Sequence, residues 1–120
     1  MSAIEIRRFD APDQLLDMNE HGGISIVRMA DGSTGMHAIF EAGWTWEADE
    51  KPLLGSPDSC PMRHTGYCIS GSLIVRMIAS GIKTRISMGD FFEIPPGHDA
   101  HVEGSERVEL ILFAPPEHQH

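Results

Sequence analysis

Short runs of apolar and β-branched residues alternate along this chain with clusters of Gly, Pro, Asp and Ser. That spacing predicts an all-β sandwich or barrel whose strands each bury one face. Residues 4–9 read as the first strand. Ala11-Pro12-Asp13 opens a short turn or helix over 12–18, and His21-Gly22-Gly23 closes it. Residues 24–29 and 36–41 are strands around the Asp31-Gly32-Ser33 turn. Trp44 and Trp46 follow the Ala42-Gly43 break at alternating positions, so their rings share one face. A Pro/Gly loop covers 51–58, and residues 67–70, 73–78, 83–88, 91–94 and 108–113 continue the meander. Helix is expected to be scarce, with 12–18 the only candidate.

One domain is expected from the length of 120 residues, which can bury a real core. Residues 1–22 form an N-terminal strand and short turn belonging to it, 23–113 the barrel, and 114–120 a frayed tail beyond Ala114-Pro115-Pro116. The net charge of -9 argues against nucleic acid or an anionic membrane as partner, since both reward clustered Lys and Arg. No apolar run could span a bilayer as a helix, and the N-terminal residues lack a signal-peptide core, so a cytoplasmic location is expected. In a reducing compartment Cys60 and Cys68 remain unpaired. Each is then a small buried hydrophobe, a metal ligand or a reactive thiol.

Gly89 to His101 reads GDFFEIPPGHDAH. Gly89-Asp90 makes a tight turn, 91–94 a short strand, and Pro95-Pro96-Gly97 a second sharp bend. A strand held between two rigid corners delivers the residues after it to a barrel mouth. This segment resembles the second signature of the cupin superfamily. Its metal-binding histidine falls at Ala100, with His98 and His101 on either side. The first signature aligns Gly71 with its terminal glycine. That places His64 where the family has a glutamate, and Cys60 and Asp58 where it has a His-x-His pair. From Gly35 to Phe113 the chain is similar to a group of small bacterial cupins. They share Gly43 to Trp46, Lys51-Pro52, Asp58 to Cys60, His64 to Tyr67 and Pro95 to Ala100. The resemblance implies an all-β double-stranded β-helix, a cupin jelly-roll barrel with little helix. It also implies a divalent metal, zinc or iron, near His64, Cys60 and His98.

The residues themselves leave the alternatives open. His64 either ligates a metal or is a hydrogen-bonded barrel histidine. His98 shares the strand parity of Ala100 and could reach inward, whereas His101 has the opposite parity and belongs at the rim or outside. Asp58 suits a loop cap better than a ligand. Trp44, Trp46, Tyr67 and His101 are the candidate substrate-binding residues, with His37, Phe91 and Phe92 as further pocket walls or core. Glu41, Glu47 and Glu93 could supply a general base, and none stands out. Three functions follow: a metal-dependent enzyme of isomerase, lyase, cyclase or dioxygenase type, a metal-free small-molecule binder, or a structural subunit. The resemblance also implies a homodimer, paired through sheet faces or N-terminal strands, which would cover an exposed first strand.

Overall fold

A computed structural model of the chain describes residues 3–116. Its strands are β1 (Gln14–Asp17), β2 (Gly22–Arg28), β3 (Thr34–Phe40), β4 (His64–Ser70) and β5 (Ser72–Met77), followed by β6 (Lys83–Ser87), β7 (Phe91–Ile94), β8 (His98–Val102) and β9 (Val108–Ala114). They form an antiparallel six-stranded sheet, β1-β2-β3-β9-β4-β7, facing a three-stranded one, β6-β5-β8. This is the all-β architecture that the turn spacing predicts, in the jelly-roll form that the cupin resemblance implies. Among the described residues helix is limited to short turns, none long and apolar enough to cross a membrane.

The core follows from two-residue alternation. Met36, Ala38 and Phe40 on β3 and Val108, Leu110 and Leu112 on β9 point inward. Leu73 and Val75 on β5 and Ala100 and Val102 on β8 meet them from the small sheet. At Gly66 on β4 a Cβ would stand 2.6 Å from the Ile111 carbonyl oxygen and 2.8 Å from the Phe92 ring. Only glycine lets β9 and β7 close on β4 there. The signature segment forms both of its corners. The Asp90 N–H donates to the Ser87 carbonyl at 3.0 Å, while the Asp90 carboxylate accepts from the Ser87 N–H at 2.8 Å. Gly97, at φ 96°, turns the chain from β7 into β8.

Several elements differ from the sequence expectation. Residues 4–9 form no strand: Ile4 is 92% exposed and Ile6 80%, so neither face is buried. Side chains hold this segment instead. Glu5 accepts from the Ala30 N–H, Arg7 bonds the Arg28 carbonyl and Asp13, and Phe9 packs against His37. The edge of the sheet belongs to β1, which replaces the expected turn or helix over 12–18. So short a run gains too little from helical hydrogen bonds, and pairing Gln14 with Ile26 and Leu16 with Ile24 satisfies its backbone. β8 is a strand the pattern missed, because its polar residues hide the alternation of buried His98, Ala100 and Val102. Phe91 and Phe92 were candidates for core or pocket wall, yet Phe91 is 76% exposed and only Phe92 packs on the core. The expected frayed end at 117–120 lies outside the described residues.

Candidate metal centre

Cys60 follows the Pro/Gly loop and is tied to the start of β8. Its N–H donates to the His98 carbonyl at 2.8 Å, and its carbonyl accepts from the Gly97 N–H at 2.8 Å. His98 therefore opens β8 directly beside the thiol. The His98 ring nitrogen Nδ1 lies 2.8 Å from the Pro95 carbonyl oxygen, which can only accept. Nδ1 thus carries the proton and Nε2 keeps a free lone pair, the arrangement found in metal-ligating histidines. His64 opens β4, paired in register with Ile94. Its Nε2 is 3.9 Å from the Cys60 sulfur, and its ring meets the His98 ring edge-on at 5.6 Å between centroids. One ligand atom from each of Cys60, His64 and His98 lies within 4.8 Å of the other two.

Burial controls the protonation of this group. It pushes the Cys60 thiol up to about 11, assisted by the nearby Glu50 carboxylate and against the opposing influence of the Met62 backbone and the Trp46 indole. It also lowers His64 to about 4, assisted by the neighbouring His98, and lowers His98 less, since the Pro95 carbonyl favours that ring's protonated form. Without an ion the cluster is a neutral thiol and two neutral imidazoles. His64 is 9% exposed, and its buried Nδ1 has no hydrogen-bond partner. A sulfur and two imidazole nitrogens suit zinc or iron, and three protein ligands leave a coordination position free.

These three side chains and Glu50 sit in the wall of an otherwise apolar cavity of about 130 Å³. Phe40, Leu73, Val75, Leu110 and both tryptophans line it, and partly exposed Met62 marks where it reaches the surface. Trp44 and Trp46 do share an inward face and are both core and wall. Trp44 stacks on Phe40 at 3.8 Å and donates its indole N–H to the Met18 sulfur. The Trp46 N–H has no partner meeting hydrogen-bond geometry, but it lies near enough to the Cys60 sulfur to favour a thiolate.

Other predicted residues are placed elsewhere. Tyr67 is exposed on the outer face of the large sheet, and His101 is exposed on the small sheet beside Lys83 and Arg85. Neither lines the cavity. Asp58 is exposed and outside the ligand group. Cys68 is fully buried and donates to the Ser70 carbonyl at 3.3 Å. His37 pairs with Glu109 at 2.6 Å on the outer face. Glu41, Glu47 and Glu93 are spent on Arg107, Lys51 and Arg63.

The carboxyl group that does face the cavity is Glu50, which the sequence reading passed over. It ends a π-helical turn, Trp46–Glu50, whose preceding Thr45 accepts from the Ala48 N–H at 3.1 Å. Positions four apart on a helical turn share a side, so Glu50 joins Trp46 inside. Asp49, on the other side, binds His21 at 2.8 Å. Burial alone raises the Glu50 carboxyl to about 7. In sequence, Glu47 to Lys51 reads as a solvated acidic loop. The one available signal was the spacing of Trp46 and Glu50.

No family model matches the chain, and no curated protein does. Solved structures do. The chain is similar to KdgF from Halomonas sp., with 22% identity over 87% of each chain and a TM-score of 0.58. It is similar to the Bacillus subtilis oxalate decarboxylase OxdC, with 17% identity and a TM-score of 0.64, covering 90% of this chain and 29% of that one. Against Fe(II) HppE the identity is 8% and the TM-score 0.64, covering 92% of this chain and 60% of the other. Likeness at these identities establishes the fold, which is that of the cupins.

Proposed function

We propose that the protein is a metal-dependent cupin enzyme acting on a small organic molecule, with Cys60, His64 and His98 holding one zinc or iron ion. The observation that carries this reading is the convergence of three ligand atoms within 4.8 Å on the wall of an apolar cavity. The unpartnered His64 Nδ1 and the preset His98 tautomer support it. An ion held there supplies a Lewis acid or a site for dioxygen, which suits isomerase, lyase, cyclase or dioxygenase chemistry. The chain's own residues exclude water, offer indole faces from Trp44 and Trp46 for stacking, and orient the imidazoles. Tyr67 and His101 lie outside the cavity, so the substrate-binding part of the reading rests on the tryptophans. An oxalate decarboxylase and an Fe(II) protein among the fold neighbours support metal and enzyme chemistry on this scaffold.

Elemental analysis of protein purified without a histidine tag tests the proposal. One ion per chain is expected, and sub-stoichiometric metal after reconstitution with zinc and with anaerobic Fe(II) would refute it.

A metal-free small-molecule binder is the second reading, and one observation favours it. The thiol pushed up to about 11 and the imidazole lowered to about 4 make the cluster neutral without an ion. Ligand binding that is indifferent to added metal would select that reading.

A further inference from the structure

Among the residues lining the cavity Glu50 is the sole carboxyl group, and it is only 9% exposed. Proteins rarely bury a carboxyl without a partner, because the desolvation cost stays uncompensated. Here no described cation or hydrogen-bond donor moderates its titration; burial is the only influence. A group kept at that cost in a cavity wall is a candidate for contact with whatever fills the cavity. Its chemistry then restricts the filler. A carboxylic acid offers one O–H donor and an acceptor oxygen. The complement is a neutral carbonyl or hydroxyl. An anionic ligand would bring a second acidic group against Glu50, and an organic cation would have to be stripped of its water to enter. Apart from Cys60, His64 and His98 at one end, the remaining wall is hydrocarbon and indole. A cavity of about 130 Å³ is near the size that encloses benzene, so it takes about six to eight non-hydrogen atoms.

We propose that Glu50 is the recognition group of the cavity, hydrogen-bonding the single polar group of a small, uncharged, otherwise apolar ligand, a ketone or an alcohol. This rests on the cavity being the ligand site and names the class of molecule it takes.

The test titrates cyclohexanone and its apolar isostere methylenecyclohexane into the full chain at pH 6, reading tryptophan emission. The wild type is expected to prefer the ketone about tenfold, the worth of one buried hydrogen bond. Glu50→Leu is expected to reverse the preference toward the alkene, because the ketone oxygen is then buried without a donor. Glu50→Gln, whose amide still donates and accepts, keeps most of the preference. Equal affinities in the wild type, or a preference that survives in Glu50→Leu, would overturn the assignment. Failure of both probes to bind overturns the cavity as a ligand site and this inference with it. Metal content measured on the same samples decides separately whether Cys60, His64 and His98 hold an ion.

Discussion

The Cys60 N–H donates to the His98 carbonyl at 2.8 Å, and that bond locks a loop thiol beside a strand imidazole. Because the tie is made by the backbone, substituting either side chain leaves the other in place. The ligand set can therefore be dissected one residue at a time.

Metal binding is expected to vanish in His64→Ala and to persist in Cys68→Ser, whose sulfur is directed at the Ser70 and Gly71 carbonyls. Loss of metal in both variants, or in neither, would show the assignment to be wrong. The pH dependence has a definite sign. Near neutrality the thiol is protonated and both imidazoles are already neutral, so an ion displaces one proton from Cys60. Affinity should rise about tenfold per pH unit across the neutral range. Calorimetry in two buffers should report release of about one proton per ion.

Burial moves His64 and Glu50 in opposite directions, with opposite effects on metal-free stability. His64 protonates near 4 in the fold and near 6.5 unfolded, so its contribution is full above 6.5 and is lost as pH falls toward 4. Glu50 stays protonated up to about 7 in the fold but ionises near 4.5 unfolded. Its contribution is full below 4.5 and is lost as pH rises to 7. Each is worth up to about 3 kcal/mol, so the two largely cancel in the overlap of their windows. Glu50→Gln should match the wild type at pH 4.5 and exceed it by up to about 3 kcal/mol at pH 8. Urea unfolding at both pH values measures this, and a constant difference would contradict the Glu50 environment.

Trp46 serves the core and the cavity wall together, so two substitutions are needed to separate the roles. Trp46→Ala should cost about 3–5 kcal/mol as a buried large-to-small change. Trp46→Phe keeps a ring and removes the N–H near the Cys60 sulfur. It should fold, and it should weaken ligand binding about two- to tenfold, through lost stacking area. Denaturant midpoints and ligand titrations on both variants decide. Unchanged ligand affinity in Trp46→Phe would assign the residue to the core alone.

Tyr67, Ile69, Phe91 and Phe113 are exposed together on the outer face of β4, β7 and β9, where Tyr67 and Phe91 are register partners. Exposed apolar patches of this kind mark association surfaces. A homodimer through this sheet face is the expected state, and the irregular 4–9 segment removes the case for pairing through a first strand. Sedimentation should give twice the 13.2 kDa of one chain, and Phe91→Glu should shift it toward monomer. A wild-type monomer at micromolar concentration would refute it.

The fold was legible because its punctuation is local. Gly89-Asp90 and Pro95-Pro96-Gly97 bend the chain wherever they stand, and the runs between them are too short for helices. Although the pattern missed β8 as a strand, parity counted from Ala100 allowed His98 to reach inward and put His101 at the rim or outside, which is where they lie. Elements without local punctuation were misjudged. Residues 4–9 look like a strand by composition, but a strand needs a neighbour, and β1 had taken the edge.

By itself the sequence determined an all-β architecture and its corners, and its resemblance to the cupins supplied the jelly roll and a shortlist of ligand-capable side chains. The cupin resemblance grouped Cys60, His64 and His98 as ligands, and the tertiary structure decided that these three meet while Asp58 and His101 stay apart. Cys60, His64 and His98 converge because an isolated bridge and two strand starts abut at one end of the cavity, a long-range fact that no spacing encodes. Glu50 was invisible for the same reason. Among Glu47, Asp49 and Glu50 the residue types are interchangeable in a linear reading. The hydrogen bonds of one π-helical turn rotate Glu50 away from water, while Asp49 turns to His21 and Glu47 remains in solvent. Burial is a property of what surrounds a side chain, and for this carboxyl the surroundings come from strands elsewhere in the chain.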